Sequence, residues 1–178
     1  MFTRFDAAFD EIEGCGAASV LDVGCGPGHH DAILARKLGA RVTGVDVASS
    51  MIEIAKRNAA KAGVSALCHV KVGDFDALSD NEKFDAVLSL GVVEYIKDPG
   101  PFVKKMHGLC RRKVVFSLPV KWHILTPQRT IRYKMRNCPL WFYSESEIAA
   151  FLTAQGLTKF DIHNLGRDFL VVVHGSGP

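Results

Sequence analysis

Three aspartates stand where short apolar segments of the chain end, and one of them introduces a glycine-rich loop. Asp22 lies just before Gly24-Cys25-Gly26-Pro27-Gly28, Asp46 ends the next apolar segment, and Asp74 follows the third. The two oxygens of a carboxylate can accept hydrogen bonds from a vicinal diol or from an amine. Glycine lacks a Cβ, so a glycine loop can turn tightly and bring its backbone against a ligand. These residue types therefore predict a binding site for a polar organic ligand.

The kind of ligand follows from the positions of the three carboxylates. Asp46 is placed to accept both hydroxyls of a ribose, and Asp74 to accept an exocyclic amine such as the 6-amino group of adenine. Asp22 suits a cationic or amine-bearing ligand and is unfavourable beside a pyrophosphate. Together they predict an adenosine that carries an amino-acid tail and a positive charge. Each also has a structural alternative, with Asp22 and Asp74 as loop caps and Asp46 as a helix-entry residue.

The loop does not have the G-x-G-x-x-G spacing of a dinucleotide-binding site. Counted from Gly24, that spacing requires glycine where the chain has His29; counted from Gly26, it requires glycine where the chain has Asp31. The phosphate-binding pattern G-x-x-x-x-G-K-[ST] is absent from the sequence as well. Both observations argue against a nucleotide-cofactor oxidoreductase, which is kept as an alternative function.

Strand and helix patterns alternate from residue 19 to residue 118. Apolar segments rich in β-branched residues indicate strands, and apolar residues at helical spacing indicate helices. The predicted strands are 19–23, 41–45, 66–72, 84–90, 112–118, 157–164 and 168–174. The predicted helices are 2–13, 29–38, 49–62, 99–107 and 144–155, the last with the capping box Ser144-x-x-Glu147. This alternation predicts an α/β fold with a doubly wound, mostly parallel sheet of seven strands.

The ends of the strands indicate where chemistry should occur. The last two strands are joined only by residues 165–167, a link that suits a hairpin, so one of them is expected to run antiparallel. In open parallel sheets, ligands bind beyond the carboxyl ends of the strands. The site is therefore expected just after Val23, Val45, Val72, Leu90 and Leu118.

Four spaced motifs between residues 17 and 118 resemble those of the class I S-adenosylmethionine (SAM)-dependent methyltransferases. They are VLDVGCGPG at 20–28, GVDVASSMI at 44–52, GDF at 73–75 and FDAVLSLG at 84–91. The resemblance implies a Rossmann-like methyltransferase fold, a single SAM-binding domain over residues 1–178, and SAM as the cofactor.

The resemblance also assigns roles around SAM to individual residues. Asp22, Gly24 and Gly26 would hold the methionine end, and Asp46 would bind the ribose hydroxyls. Val47 and Met51 would pack on the adenine ring. Asp74 and the backbone of Phe75 would contact the edge of the adenine, and the Leu90 carbonyl would accept a hydrogen bond from the methionine amino group.

Within that superfamily, the segment SLGVVEYIKDP at 89–99 resembles the small-molecule branch, such as the ubiquinone-pathway O-methyltransferases. Those enzymes often have histidine where this chain has Tyr95. The shorter segment SLPVKW at 117–122 resembles magnesium-protoporphyrin carboxyl methyltransferases. Enzymes that methylate amino groups of nucleic acids and proteins often carry an Asn/Asp-Pro-Pro-aromatic tetrad where this chain has Ser89-Leu90-Gly91-Val92. The resemblance thus implies O-methylation of a small molecule and argues against nucleic acid as the acceptor.

Methyl transfer from a sulfonium is an in-line displacement, to which an enzyme contributes mainly by aligning the acceptor with the methyl group. A hydroxyl acceptor usually also needs a base, whereas a carboxylate does not. Tyr95, just beyond the fourth strand, and His123 are the catalytic candidates, and each has a purely structural alternative. His29 and His30 follow the glycine loop and face either the site or the helix surface. The sequence shows no constellation of metal ligands.

Residues 119–143 form a basic and aromatic insert that is predicted to emerge beyond the fifth strand, beside the methyl donor. It lies within the window 99–144, which holds ten basic and no acidic residues and is therefore expected to form one strongly positive segment beside the methyl donor. Arg129 and Arg132 are three apart, so in a local helix they would share one face and could clamp a carboxylate or phosphate, with Tyr133 beside them. We therefore expect a small anionic or aromatic acceptor. Single-stranded nucleic acid, an anionic membrane surface and a plain solvated surface are the alternatives for the same composition.

Composition places the chain among ordinary globular domains. It has 178 residues, of which 48% are hydrophobic and 23% charged, and a net charge of +3. No apolar run approaches the roughly 18 residues that a membrane span needs. Acidic residues near the start argue against a signal peptide. Five cysteines without C-x-x-C spacing predict free thiols in the reducing cytoplasm.

The segment before the glycine loop is short for the small-molecule branch, whose members commonly have one or two further helices there. Residues 1–18 precede the first predicted strand. We therefore expect an open acceptor site, a site covered by the 119–143 insert, or one completed by a partner chain. A non-catalytic SAM-binding or interaction module is the second alternative function.

Overall fold

The computed structural model describes residues 4–121 and 140–175. Its strands are β1 Ser19–Val23, β2 Arg41–Asp46, β3 Cys68–Val72, β4 Phe84–Ser89, β5 Cys110–Pro119, β6 Phe160–Asn164 and β7 Asp168–His174. They form one sheet in the order β3-β2-β1-β4-β5-β7-β6. Neighbours from β3 to β5 pair in parallel, whereas β7 pairs antiparallel with both β5 and β6. The predicted α/β fold and its antiparallel final hairpin are confirmed.

The helices connect these strands. They are α1 Arg4–Gly14, α2 His29–Leu38, α3 Ser49–Lys61, α4 Pro99–Gly108 and α5 Glu145–Ala154. Two short 3-10 turns, Phe75–Ala77 and Val93–Tyr95, follow β3 and β4. None of these helices has both the length and the hydropathy that crossing a membrane requires.

Local hydrogen bonds explain why α5 begins where it does. The Ser144 hydroxyl accepts the Glu147 N–H at 3.3 Å, and the Ser144 N–H donates to the Glu147 carboxylate at 2.8 Å. This capping box satisfies two backbone donors that the first turn would otherwise leave unpaired. The predicted capping box is therefore confirmed, and it places the start of α5 directly after the 119–143 insert.

The core consists of two apolar clusters, one on each face of the sheet. Along β1, Leu21 and Val23 belong to one cluster and Val20 to the other, because side chains alternate along a strand. Residues of α4 and α5 complete the first cluster, and residues of α1, α2 and α3 complete the second. Fully burying a side chain such as Leu21 contributes roughly 1.5–3 kcal/mol. The sheet is thus a rigid base for the loops at its carboxyl edge.

The two flanks of the predicted insert lie together beyond the carboxyl end of β5. Val120 pairs in parallel with Tyr143. The Tyr143 N–H donates to the Pro119 carbonyl at 3.0 Å, and the Lys121 N–H donates to the Tyr143 carbonyl at 2.8 Å. The insert therefore begins and ends at the edge of the sheet where the site is expected.

Candidate functional site

The predicted cofactor residues lie along one edge of the sheet. In sheet order, Asp74 follows β3, Asp46 ends β2, the glycine loop follows β1 and Leu90 follows β4. Neighbouring strands are about 4.8 Å apart, so these four strand ends span about 15 Å. The fold thus brings four separate sequence motifs into one continuous row.

The glycine loop, residues 24–28, packs against two neighbouring elements and leaves one side open. The Gly24 N–H donates to the Val45 carbonyl at 2.8 Å, which holds the loop over the end of β2. Gly24 has φ +75°, and a Cβ there would overlap the Val92 side chain in the turn after β4. Gly26 has φ +52°, and a Cβ there would meet no atom within 4 Å. The backbone is therefore accessible at Gly26, where a ligand can approach it closely.

Asp46 joins the glycine loop to the start of α3. Its Oδ2 accepts the Gly26 N–H at 2.9 Å, and its Oδ1 accepts the Ala48 N–H at 2.8 Å. A carboxylate offers about four acceptor sites, two on each oxygen. Each oxygen can therefore still accept one ribose hydroxyl while it holds the backbone. The helix-entry role and the predicted ribose role are compatible at this residue.

Asp74 and Phe75 have structural roles beside their predicted ligand roles. Asp74 Oδ1 accepts the Asp76 N–H at 3.0 Å and so caps the 3-10 turn after β3. The Phe75 ring is buried against Phe102, with ring centroids 4.7 Å apart, and Lys105 Nζ lies 5.3 Å from its centroid. Because the ring belongs to the core, a ligand would meet Phe75 through its backbone, as the resemblance implies.

Apolar side chains are exposed beside Asp46. Val47 is 75% exposed, Met51 37% and Val72, at the end of β3, 53%. Exposed apolar surface that is grouped at one place is typical of a binding site. The two residues predicted to pack on the adenine ring therefore offer it an apolar surface.

The end of β4 supplies the predicted carbonyl acceptor. Leu90 is buried and follows the last residue of the strand, Ser89, whose hydroxyl donates to the Val23 carbonyl at 3.0 Å. The next residue, Gly91, donates its N–H to the Ser117 hydroxyl of β5 at 3.1 Å. These bonds hold the chain around Leu90 between β1 and β5, beside the glycine loop.

Arg4, in the first turn of α1, is a further candidate site residue that no sequence motif reveals. A Cβ built on Gly91 would lie 3.0 Å from Arg4 Nη2, so the guanidinium lies directly over the residue after Leu90. Arg4 Nη1 is also 3.9 Å from Asp168 Oδ2 at the start of β7. A permanent cation thus stands at the end of the row where the carboxylate of an amino-acid tail would bind. Its position depends on the packing of α1, which sequence spacing does not show.

His30 holds α1 against the start of α2. Its ring stacks on Phe5 with centroids 4.2 Å apart and planes 9° from parallel. Burial lowers the pKa of His30 to about 4, with smaller effects from the charges of Arg4 and His29. His30 is therefore a neutral packing residue that keeps the first turn of α1, and Arg4 with it, over the site.

Asp22 lies beneath the glycine loop and faces another carboxyl group. It is 2% exposed and lies near the carboxyl group of Asp31, in the first turn of α2, whose charge acts on it. Burial raises the pKa of Asp22 well above its ordinary value, and the charges of Asp31 and Asp46 raise it further. Asp22 is thus neither exposed nor paired with a cation in the part of the chain that is described.

The catalytic and acceptor-binding candidates are only partly described. Tyr95 ends the 3-10 turn after β4, at the predicted edge of the sheet, and is 36% exposed. The other candidates, His123, Arg129, Arg132 and Tyr133, lie outside the described residues. The roles of all five stay predictions.

The basic residues of the window 99–144 do not form one patch. Arg111, Arg112 and Lys113 lie at the start of β5, roughly 20 Å along the strand from its carboxyl end. Lys113 Nζ is 2.6 Å from Glu11 Oε2, and Arg111 Nη1 is 3.7 Å from Asp85 Oδ1. For these three residues, the expectation of a single positive segment beside the methyl donor is wrong, because they lie at the amino-terminal end of β5, whereas the site lies beyond its carboxyl end.

Comparison with known proteins identifies relatives of this chain. Residues 20–113, more than half of the chain, match a family model described as a methyltransferase domain. The chain is 34% identical to the ubiquinone biosynthesis O-methyltransferase of Methylocella silvestris, over 80% of this chain and 59% of that protein. It is 41% identical to the protein of that name from Azorhizobium caulinodans, over 84% of this chain and 62% of that protein. The chain thus spans about three fifths of the length of these curated relatives.

Solved structures show the same fold at low identity. Magnesium protoporphyrin IX methyltransferase from Synechocystis PCC 6803, with bound SAH, has a TM-score of 0.76 and 19% identity, over 97% of this chain and 82% of that one. A putative O-methyltransferase from Nostoc punctiforme PCC 73102 has a TM-score of 0.79 and 20% identity, over 98% and 56%. The motifs, the row of strand ends and the family model agree, and the chain is a member of the class I SAM-dependent methyltransferase family.

Proposed function

We propose that this chain transfers a methyl group from SAM to an oxygen atom of a small, anionic or aromatic acceptor. The order of groups along the carboxyl edge of the sheet carries the proposal. Asp74 and Asp46 lie at one end, the glycine loop lies in the middle, and Leu90 with Arg4 lies at the other. Adenine, ribose and amino-acid tail follow one another in SAM in the same order.

The residues at this edge fit each part of SAM. Val47 and Met51 offer apolar surface to the adenine, and Asp46 retains acceptor capacity for both ribose hydroxyls. The open backbone at Gly26 admits the middle of the molecule. Arg4 is the candidate partner of the carboxylate, a contact in which two N–H groups can bind two oxygens. When bound, SAM supplies an activated methyl group on a positively charged sulfur.

The protein's share in the reaction is to orient the acceptor and to accept a proton where one is released. Holding two reactants in line supplies up to about 7–11 kcal/mol of the barrier reduction. A phenol or alcohol acceptor loses its proton as its oxygen forms the new bond, so a base must take that proton. Tyr95 and His123 are our candidates for this base, whereas a carboxylate acceptor would need neither.

We place the acceptor beside Tyr95, between the ends of β4 and β5 and the 119–143 insert. The flanks of this insert are held at that edge by the pairing of Val120 with Tyr143, which supports its role as the acceptor region. The anionic character of the acceptor rests on Arg129 and Arg132, which could clamp a carboxylate or phosphate.

The double variant Arg129→Ala, Arg132→Ala tests this acceptor. We expect its acceptor KM to rise at least about tenfold while SAM binding is unchanged, since charge-assisted contacts contribute roughly 1.5–3 kcal/mol each. Arg57→Ala, which removes an exposed arginine of α3, is the matched control. Salt should raise the acceptor KM only modestly, whereas nucleic acid bound along the insert would show a steep dependence on salt concentration. An acceptor KM indifferent to both changes would remove the anionic acceptor from the proposal.

The cysteines support assignment to a reducing compartment such as the cytoplasm. Cys15, Cys25, Cys68 and Cys110 are all free thiols, and three of them are buried. Proteins of oxidising compartments commonly use such residues in disulfides.

Calorimetry with SAM and with NAD, followed by transfer of labelled methyl groups to a panel of phenols and carboxylic acids, tests the function. We expect SAM to bind, NAD not to bind, and the label to appear on the oxygen of an anionic or aromatic member. SAM binding without transfer to any acceptor would favour a non-catalytic SAM-binding module. NAD binding in place of SAM would refute the proposal.

A further inference from the structure

Two acidic side chains are buried together beneath the glycine loop. Asp22, on β1, is 2% exposed, and Asp31, in the first turn of α2, is 1% exposed. Their carboxyl groups are close enough for each to act on the pKa of the other. If both were ionised, Asp22 Oδ2 and both oxygens of Asp31 would be buried without any donor. A buried charge in that condition is strongly unfavourable, so at least one of the two groups must hold a proton.

The sheet makes room for this pair at Gly44. Gly44 lies opposite Asp22 in β2, and a Cβ there would be 2.5 Å from Asp31 Oδ2 and 2.9 Å from Cys25 Sγ. Any larger residue would push Asp31 away from Asp22. The pair is thus built by three elements: β1, β2 and α2.

The surroundings of the pair contain acids and thiols. Asp46, at the end of β2, acts on Asp22 through its charge. The Cys25 thiol of the glycine loop lies near enough to Asp31 to feel its charge, and Cys68 of β3 donates its thiol to the Asp31 backbone carbonyl at 3.6 Å. Among the described residues, no lysine, arginine or histidine is among the groups that shift the pKa of either aspartate. The positive end of α2 is what favours one negative charge here.

We propose that Asp22 and Asp31 act as one acid–carboxylate unit, in which a single shared proton leaves one negative charge that attracts the cationic cofactor. This inference rests on the proposed function. SAM has an ammonium, a sulfonium and a carboxylate group, so its net charge is +1 and complements the pair. Asp31 is therefore a positioning residue for the cofactor site, although it carries no part of the glycine motif.

A second proton would remove this charge. Burial raises the pKa of Asp31 to about 6 and raises the pKa of Asp22 well above its ordinary value. As the pH falls through this range the pair becomes neutral, and SAM must then bind with release of one proton to the buffer. The amino group of SAM stays protonated throughout, because α-amino groups titrate near pH ~7.7–8.0.

The test is a double-mutant cycle on SAM affinity measured by calorimetry. Asp22→Asn and Asp31→Asn each retain one carboxylate and gain an amide donor, so each alone should raise the Kd for SAM only about two- to fourfold. The double variant has no charge and should raise Kd more than about 30-fold, beyond the product of the single effects. Glu53→Gln, which removes an exposed carboxylate from α3, is the control.

The pH dependence of the Kd for SAM distinguishes this charge from a purely structural role of Asp22 and Asp31, which would not produce it. For the wild type, the Kd for SAM should rise as the pH falls from 7 to 5.5, with close to one proton released per SAM bound at pH 5.5. The double variant should lose this dependence. This wild-type profile tests the inference even if a variant fails to fold.

Three results would overturn the inference while leaving SAM binding itself intact. The first is a wild-type Kd for SAM that does not change with pH in this range. The second is a double variant whose rise in Kd is no larger than the product of the two single rises. The third is a full loss of SAM affinity in Asp22→Asn with no loss in Asp31→Asn. Absence of SAM binding to the wild type would instead overturn the proposed function, and this inference with it.

Discussion

Replacing Asp46 with alanine removes the two acceptors that join the glycine loop to the start of α3. The side chain is partly exposed, and it accepts the Gly26 N–H at 2.9 Å and the Ala48 N–H at 2.8 Å. Because water can reach the freed N–H groups, we expect the free energy of unfolding to fall by about 1–2 kcal/mol. The lost ribose contacts should weaken SAM binding by about 1.5–3 kcal/mol, which is roughly a 10- to 150-fold rise in Kd.

Urea denaturation and calorimetry with SAM measure the two effects separately. Asp46→Asn retains one acceptor oxygen, so it should give an intermediate loss in both measurements. Asp80→Ala, which replaces an exposed aspartate away from the strand ends, should change neither. An Asp46→Ala protein that is folded and binds SAM with wild-type Kd would refute the ribose role, whatever its stability.

The remaining predictions concern the loop, the base and the insert flank. Gly24→Ala should lower the free energy of unfolding by about 1–3 kcal/mol because of its positive φ, and by a further amount because the new Cβ overlaps Val92 in the turn after β4. Gly63→Ala, at φ +70° with no atom near the new Cβ, measures the effect of the positive φ alone. Equal losses of stability in the two variants would contradict the overlap. Tyr95→Phe should lower kcat by about 10²–10⁴-fold with unchanged SAM affinity, and a near-normal kcat would exclude Tyr95 as the base. Hydrogen bonding to Lys121 lowers the pKa of Glu147 to about 2, so the ionised form stabilises the fold above its unfolded pKa near ~4.3. The difference in the free energy of unfolding between wild type and Glu147→Gln should therefore shrink as the pH falls from about 4.5 toward 2. A difference that stays constant over this range would refute the stabilising role of the ionised Glu147.

Local sequence signals determined the elements and placed the site at the carboxyl ends of the strands. The bounds of β1, α2 and β7 agree with the predicted 19–23, 29–38 and 168–174, because apolar runs and terminal glycines act over a few residues. The sequence also placed Asp22, Asp46, Asp74 and Leu90 at the same end of the sheet, since ligands bind beyond the carboxyl ends of parallel strands; their order across the sheet comes from the strand order of the structure. The capping box at Ser144 is equally local, and it set the start of α5 correctly.

The tertiary structure alone decided which distant residues meet. Arg4 reaches Gly91 because α1 packs across the sheet, and spacing between residues so far apart carries no such information. The sequence places Asp31 in the first turn of a helix, and only the packing of α2 on β2 buries it near Asp22. A count of charges along the sequence treated the basic residues of the window 99–144 as one group. Because β5 is ten residues long, it places Arg111, Arg112 and Lys113 far from the residues that follow its carboxyl end.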